Sequence, residues 1–442
     1  MESILIKTAQ LLLSLSILVI LHEFGHFIFA RLFKTRVEKF YLFFNPWFSL
    51  FKVKKGDTEY GIGWLPLGGY VKISGMIDES MDKEAMKLPP QPYEFRSKPA
   101  WQRLLIMVGG VLMNFLFALL IYIGVLYTWG EAYLPTSEVK YGILVGETGE
   151  KIGLQTGDKI LTLDGETIEN FGKIVPTIVL DNIKTIQVER DGQTVDLEIT
   201  DSDIAVLLKS KSVMTFRIPF DLVIEGFLKK SPAKDAGVLI GDKIQGINGQ
   251  SINFMDEFEN ALSENDGNQY TIDVLRDGKI ITLPIQPTED ATIGISHKNN
   301  LEEYFNYKTI KYGFFESVPA GIKLGVQTTQ DYLKQFKLFF KPETKAYESL
   351  GGFITIGSIF PGVWDWYSFW KMTAFISIIL AIMNLLPIPA LDGGHVMFTL
   401  YEMISGRKPN EKFLEYAQIV GMVILLALVL YANANDIIKL FK

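Results

Sequence analysis

The chain has 442 residues, of which 48% are hydrophobic and 21% are charged. It is too apolar for a purely soluble protein and too charged for one that lies in lipid throughout, so we expect a membrane part joined to soluble modules. The net charge of −7, without a basic run, gives no electrostatic footprint for nucleic-acid binding, and the absence of cysteine excludes disulfides and Cys-ligated zinc.

Four apolar segments have the composition of membrane spans. They cover approximately residues 4–30, 104–128, 369–386 and 417–431. A span needs roughly 20 apolar residues, so the fourth segment is the shortest. The first is not typical of a cleaved signal peptide, because it is long, begins after Glu2 and is followed by charged residues where a cleavage site should lie.

The distribution of Lys and Arg predicts the orientation of these spans. Seven of them occur between residues 31 and 55, directly after the first span, and three more lie between the third and fourth spans. Because positively charged loops stay in the cytoplasm, we place residues 31–103 inside and residues 129–368 outside, with both termini outside.

A metal motif lies inside the first span. His22 and His26 are four residues apart, so on a helix both imidazoles share one face and reach one metal ion. Glu23 beside them has the position of the general base in zinc proteases. A chance match on an amphipathic helix is the alternative, but ionisable groups in a lipid-buried stretch are costly and are functional candidates by default. We therefore predict one Zn²⁺ near the cytoplasmic side of the bilayer.

Two histidines leave a catalytic zinc one protein ligand short. Asp392 is the favoured third ligand, because Pro387 and Pro389 break the third span just before it. Broken backbone at membrane depth is tolerated only where it faces protein or a wet cavity. His395 is the competing ligand, and a helix cap at the proline break is the alternative role for Asp392.

The external region contains an internal repeat. Residues 153–168 match residues 237–252, and residues 190–199 match residues 276–285. Each copy has Gly-Asp before an apolar strand and then Asp-Gly or Asn-Gly at a tight turn, which predicts two copies of one small β-rich domain. The second copy resembles a bacterial PDZ domain over residues 231–249. This implies capture of peptide C-termini at a sheet edge; a rigid spacer or steric filter is the alternative.

A third external feature is the aromatic-rich segment 301–340. Its aromatic and aliphatic side chains are mixed with Lys and Glu, which suits helices that lie on the membrane surface or against the two modules. The two possibilities stay open at this point. The residues concerned are Tyr304, Phe305, Phe314, Phe315, Leu333, Phe336, Phe339 and Phe340.

The His22–His26 motif, together with residues 384–394, resembles the site-2 protease family of intramembrane zinc metalloproteases. Four spans with two PDZ-like modules between the second and third resemble its branch of regulator-of-sigma-E proteases. The resemblance implies that His22, His26 and Asp392 bind zinc, that Glu23 is the general base and that Asn384 binds substrate. It also implies a re-entrant β-hairpin at residues 61–71 that presents an edge strand to substrate, through Gly63, Trp64, Leu65, Pro66, Leu67, Gly68 and Gly69.

The resemblance further implies a reaction and a location. The reaction is hydrolysis of peptide bonds in or near the transmembrane helix of single-span substrates, such as anti-sigma factors or signal-peptide remnants, after a first cleavage on the outer side. The location is the bacterial inner membrane, with the PDZ-like domains outside. A non-catalytic PDZ-bearing membrane scaffold is the main alternative; a metal transporter is a second, although polar residues are sparse in the other spans.

The predicted architecture is a multi-pass α-helical membrane protein with two inserted β-rich domains. Its parts are a membrane core with two spans, a first PDZ-like domain, a second PDZ-like domain, amphipathic connecting helices and a membrane core with two further spans. Their predicted boundaries are residues 1–128, 129–210, 211–290, 291–365 and 366–442.

Overall fold

The computed structural model describes residues 2–66, 68–76, 89–209, 212–264, 268–288, 292–297, 301–344 and 350–441. Its internal contacts divide the chain into two compact units. The helical unit comprises residues 1–131, 311–337 and 347–442, and the β-rich unit comprises residues 132–310 and 338–346. The metal motif falls in the helical unit, and the internal repeat falls in the β-rich unit.

The helices that the structure describes include four long apolar ones. In chain order the α-helices are α1 (Glu2–Leu32), α2 (Ala100–Trp129), α3 (Glu147–Lys151), α4 (Ile174–Leu180), α5 (Asp201–Lys209), α6 (Pro232–Asp235), α7 (Met255–Glu264), α8 (Phe314–Leu338), α9 (Phe353–Ser358), α10 (Trp366–Leu385), α11 (Asp392–Ser405) and α12 (Glu411–Leu440). By length and composition, α1, α2, α10 and most of α12 are able to cross a membrane. The four predicted spans are thus confirmed as apolar helices, and the fourth is longer than expected.

The strands are short and form several small sheets. They are β1 (Val37–Leu42), β2 (Phe44–Lys55), β3 (Thr58–Leu65), β4 (Tyr70–Ile73), β5 (Glu131–Tyr133), β6 (Ile143–Val145), β7 (Lys159–Leu163), β8 (Thr185–Arg190), β9 (Gln193–Glu198), β10 (Met214–Phe216), β11 (Ile224–Phe227), β12 (Lys243–Ile247), β13 (Gln250–Ser251), β14 (Tyr270–Arg276), β15 (Lys279–Ile285), β16 (Ile295–His297) and β17 (Lys308–Ile310). The first four belong to the helical unit, and β6 to β17 belong to the β-rich unit.

The third span begins and ends where local chemistry dictates. The side chain of Asp365 accepts a hydrogen bond from the backbone N–H of Ser368 and so caps the start of α10. The helix ends before Pro387 and Pro389, which cannot continue it. The predicted break is therefore confirmed, and the chain re-enters helical structure at Asp392, the first residue of α11.

Helices α1 and α2 touch through glycines. A Cβ added to Gly25 would lie 2.2 Å from the carbonyl oxygen of Gly109, and a Cβ on Gly110 would lie 2.5 Å from Nε2 of His26. Side chains larger than hydrogen would separate the backbones, as in other small-residue crossings between membrane helices. The glycines of α2 therefore let this helix lie directly against the turn of α1 that carries the metal motif.

This crossing predicts a position-specific effect of adding volume to α2. Replacing Gly109 by Val is expected to lower the free energy of unfolding by about 3 kcal/mol, because the new side chain collides with backbone atoms of α1. Gly124→Val is the matched control: it has the same loss of glycine in the same helix, but nothing lies within 4 Å of its Cβ position. Denaturant unfolding in detergent measures both, and an equal effect would contradict this account of the crossing.

Residues 37–73 form a four-stranded sheet in the order β2-β3-β1-β4, and the predicted hairpin at residues 61–71 is wrong. Strand β1 lies between β3 and β4, pairing parallel with the former and antiparallel with the latter. The hairpin occurs one strand earlier, where β2 and β3 are joined at Gly56, whose φ of +62° favours glycine. The edge strands of this sheet are β2 and β4.

The β-rich unit contains two hydrophobic cores that correspond to the two sequence repeats. The first includes the sheet β7-β8-β9 and the second includes the sheet β13-β12-β14-β15. Their tight turns share a left-handed backbone, with φ of +47° at Asp164 and +52° at Asn248, each followed by a glycine at positive φ. The predicted repeat of one β-rich pattern is therefore visible in the structure.

Both cores extend beyond the boundaries that the sequence predicted. Strand β10 pairs with β6, so residues beyond 210 belong to the first core. Strand β16 pairs with β11, so the second core continues beyond residue 290. These pairings join segments far apart in the chain, and the composition of the sequence carries no mark of them.

The segment after the second core serves both units. Phe305 is buried in the first core, and β17 pairs with β5. Helix α8 instead belongs mainly to the helical unit, where Gly321 lies against Ile123 and Gly325 against Leu119 of α2. The part of residues 301–340 before α8 thus packs on a module, which is one of the two possibilities left open, whereas α8 packs on the spanning helix α2, which neither possibility described.

An ion pair recurs at equivalent positions of the two repeats. Arg190 donates two hydrogen bonds to Asp158, and Arg276 donates two to Asp242, all between 2.7 and 2.8 Å. Both aspartates are nearly inaccessible, with side-chain exposures of 1% and 2%. Hydrogen bonding from Arg276 holds the pKa of Asp242 below its usual range. In each repeat the aspartate directly precedes a core strand, β7 or β12, and the arginine is the last residue of the strand that pairs with it, β8 or β14.

Breaking one pair is expected to destabilise its own repeat. Arg276→Met leaves Asp242 buried without its partner, which should cost the second core about 3 kcal/mol; Arg190→Met is the matched change in the first core. Hydrogen exchange of the full chain measures both, and the loss of protection should follow the mutated repeat. Loss of protection shared equally by both repeats would contradict a local role for each ion pair.

The pKa of Asp242 is lower in the folded protein than in the unfolded chain, so its ion pair adds to the free energy of unfolding above about pH 4. This stabilisation is lost as the pH falls below that value.

Candidate metal centre

The metal motif and the broken helix bring three ligand atoms together. The Nε2 atoms of His22 and His26 are 3.2 Å apart, and Oδ2 of Asp392 lies 3.1 Å from the first and 3.3 Å from the second. The histidines sit on successive turns of α1, and Asp392 opens α11 after the proline break. The structure thus places the predicted Asp392 at the histidine pair, whereas His395 lies on the next turn of α11.

The donor set fits zinc with one open position. Ligand atoms about 2.0–2.2 Å from a tetrahedral zinc lie roughly 3.3–3.6 Å apart, close to the observed triangle. Nδ1 of His26 lies 2.8 Å from the carbonyl oxygen of Ile106, to which it donates, so Nε2 carries a lone pair. That lone pair faces Oδ2 of Asp392, which is buried and has no hydrogen-bond partner among the described residues. Opposed acceptors need a positive charge between them, either a proton on an imidazole or a metal ion, and the spacing of the three atoms fits zinc.

Two asparagines complete the surroundings of His22. Nδ2 of Asn384, which the family resemblance predicted, lies 3.4 Å from Nε2 of His22. Asn114, which the sequence analysis missed as a site residue, lies 3.5 Å from Nδ1 and is 1% exposed. Its Oδ1 atom is buried and has no hydrogen-bond partner in the part of the chain that the structure describes. Because amide orientations are assigned from hydrogen bonding, a flipped amide would accept from Nδ1–H and satisfy both groups.

Glu23 lies between the histidines and the edge strand. Its carboxylate accepts a hydrogen bond from the backbone of Val71 in β4. A Cβ added to Gly69 would come within 3.5 Å of its side chain and would clash with Val19. The close approach of the chain at residues 68–71 therefore brings the sheet directly over the proposed base.

A cavity of about 770 Å³ opens onto these residues. Its walls include the three ligand residues, Glu23, Asn384, Asn114 and β4. Of the residues predicted at the hairpin, Leu65, Gly68 and Gly69 line this cavity.

The remaining predicted hairpin residues have other places. Gly63 lies against the carbonyls of Phe43 and Phe44, and Trp64 donates from Nε1 to the carbonyl oxygen of Pro46. Pro66 is exposed after β3, and Leu67 lies outside the described residues. The edge that faces the cavity is therefore β4 and the two glycines before it, not the interior strand β3.

The fold and the site define a protein with four helices able to cross a membrane and a His-His-Asp cluster, beside a glutamate, that could hold a metal ion. The chain belongs to peptidase family M50, whose sequence profile matches residues 10–428. It is similar to the regulator of sigma E protease of Haemophilus influenzae, at 28% identity over 461 residues that cover 99% of this chain and 100% of the relative. It is also 27% identical over 468 residues to the regulator of sigma-E protease RseP of Salmonella typhimurium, with full coverage of both.

A candidate zinc metalloprotease of Neisseria meningitidis is 28% identical over 445 residues, which cover 96% of this chain and 97% of the relative. Together with the family, these relatives identify the chain as a zinc metalloprotease of the intramembrane type. An enzyme is thereby favoured over a non-catalytic scaffold.

Proposed function

We propose that this enzyme hydrolyses peptide bonds in or near the transmembrane helix of single-span substrates, using one Zn²⁺ held by His22, His26 and Asp392. The convergence of these ligand atoms next to Glu23, inside a cavity walled by an edge strand, is the observation that carries the proposal. Zinc, when bound, would polarise the scissile carbonyl and make water acidic enough to react near neutral pH.

The chain's own residues supply the remaining steps. Glu23 is placed to accept the proton of the attacking water and to deliver it to the leaving nitrogen. Asn384 lies 3.4 Å from Nε2 of His22 and is placed to donate a hydrogen bond to the substrate backbone. His26 is oriented by its hydrogen bond to the carbonyl oxygen of Ile106, and we assign the corresponding role at His22 to Asn114.

The substrate has to be extended at the site, because a helix hides its carbonyl groups in internal hydrogen bonds. Among the strands that the structure describes, β4 is hydrogen-bonded to β1 and forms an edge of the sheet, and its Val71 contacts Glu23. We assign the pairing of an extended substrate to this edge. Residues 68–73 line the cavity, which places this edge beside Glu23. Pairing with β4 would unwind the substrate and fix the bond to be cleaved.

We propose a bacterial inner-membrane location with the β-rich unit on the outer side and the metal centre towards the cytoplasm. The positively charged loops at residues 31–55 and 407–412 support this orientation. The names of the relatives support anti-sigma factors as substrates, and signal-peptide remnants share the same single-span chemistry. We assign to the two PDZ-like repeats either the exclusion of bulky outer domains or the capture of new peptide C-termini.

Cleavage of a single-span substrate in detergent by wild type and by Glu23→Gln tests the reaction, with the cut site mapped by mass spectrometry. Substrates with and without a folded outer domain test the requirement for prior trimming. The shortened form should be cut at least tenfold faster. Equal rates would exclude a filtering role for the β-rich unit.

A further inference from the structure

A second cavity adjoins the active-site cavity. It has a volume of about 220 Å³ and lies between the loop after β4 and helices α11 and α12. Four residues line both cavities: Met76, Ala390, His395 and Gln418. Because the two spaces share these walls, a chain that leaves the metal centre in this direction meets the second cavity next.

The turn that follows the edge strand forms part of the wall of this second cavity. Tyr70–Ile73 line the active-site cavity. Gly75 and Met76, which follow β4 after Ser74, line the second cavity. A strand advances about 3.3 Å per residue. Val71 lies beside Glu23, and β4 ends two residues later at Ile73. A substrate strand paired along β4 would therefore reach the wall of the second cavity roughly three residues beyond the metal centre.

The size and lining of the second cavity define what it accepts. An α-helix with side chains is about 10–12 Å wide, so this space suits one or two extended residues and not a helix. Phe95, Phe398 and Leu414 supply apolar walls. The two arginines of the rim are already paired, Arg96 with Glu94 at 2.6 Å and Arg103 with Glu402 at 2.5 Å.

We propose that the second cavity is a specificity pocket, which binds a large apolar side chain of the substrate about three residues from the cleaved bond. This inference rests on the proposed function, because it needs a substrate strand on β4. Both rim arginines are paired with carboxylates, and Lys408, a further cation of the lining, donates from Nζ to the carbonyl oxygen of Arg96. The pocket therefore gains most from an apolar side chain that covers Phe95 and Leu414. Residues that form no part of the metal centre would thus choose among unwound substrates.

Crosslinking tests the pocket without relying on turnover. A photoreactive amino acid is placed at Leu414 in the full-length Glu23→Gln variant and irradiated with a single-span substrate whose cut site is known. We expect one adduct, centred about three residues from the cleaved bond. The same group at Leu380, which lines the active-site cavity, should link next to that bond, and at Ile404, which is 87% exposed, it should not link.

The crosslinks separate the two proposals. An adduct from Leu380 without one from Leu414 overturns the pocket and leaves the proposed function standing. No adduct from either position overturns both. Adducts from Leu414 that are scattered along the substrate also overturn the pocket, because a specific subsite holds one register.

Kinetics provide an independent arm. Leu414→Trp fills the pocket and should lower kcat/KM at least tenfold for a substrate with Phe at the crosslinked position, but less than threefold for the Gly counterpart. Leu414→Ala, which enlarges the pocket, should keep the Phe substrate within threefold of wild type. Equal losses for both substrates, in a Leu414→Trp enzyme that retains zinc, would overturn the assignment.

Discussion

Glu23→Gln is expected to lower the rate of substrate cleavage by about 10³-fold while zinc content stays at the wild-type level. General acid–base catalysis contributes typically 10²–10⁴-fold, and an amide of the same shape cannot accept the proton of water. The zinc should remain, because the three proposed ligands are His22, His26 and Asp392, and this carboxylate is not among them.

The matched control is Glu59→Gln in strand β3. Its carboxylate accepts a hydrogen bond from the hydroxyl of Tyr41 in the same sheet and does not line the active-site cavity in the described part of the chain. We expect its cleavage rate to stay within threefold of wild type. If the Glu23→Gln enzyme keeps a tenth of the wild-type rate, Glu23 is not the general base.

Asp392→Ala is expected to remove zinc from the protein. Structural zinc sites bind with roughly 10–16 kcal/mol shared among four ligands, so the loss of one ligand should weaken affinity by roughly 10²-fold or more. After dialysis against a weak chelator, elemental analysis should find little metal in the variant and about one equivalent in the wild type. Cleavage should fall in parallel, because the proposed reaction requires the metal.

His395→Ala is the decisive comparison for the third ligand. His395 stands one turn further along α11 and lines both cavities, so its loss changes the same region of the helix. It should nevertheless keep its zinc, because Oδ2 of Asp392 already completes the triangle with both histidines. Loss of zinc from His395→Ala with retention in Asp392→Ala would reverse the assignment.

The proposed metal ligands were predictable from sequence for two reasons. The two histidines are close together in the chain, and ionisable residues are rare in the apolar spans. One turn of helix brings His22 and His26 to the same face. Asp392 is a carboxylate beside a proline break at membrane depth, where a charged group is costly and indicates a function. Asn114 was missed as a site residue although it lies in an apolar span. The same rule that pointed to the histidines, that polar groups within spans require partners, could have found it.

The sheet shows where sequence reasoning stops. Apolar alternation and glycines at residues 61–71 fit a hairpin, but the pairing of β1 with both β3 and β4 depends on contacts across 20 or more residues, as between Lys39 and Glu59. The same limit applies to β6 and β10, whose pairing extends the first core beyond its predicted end. Local patterns identified the strands, and only the tertiary structure decides their neighbours.

The glycine crossing between α1 and α2 restricts how the enzyme can open. The backbones of α1 and α2 approach so closely at Gly25, Gly109 and Gly110 that no side-chain carbon fits between them. We therefore expect the two helices to move together, with both histidines held between them. Helix α12 is much less enclosed, since only 6% of its apolar stretch is buried in the protein, although it too has a close glycine contact, between Gly421 and Pro389. A displacement that admits substrate is thus expected of α12, while the histidine pair stays fixed.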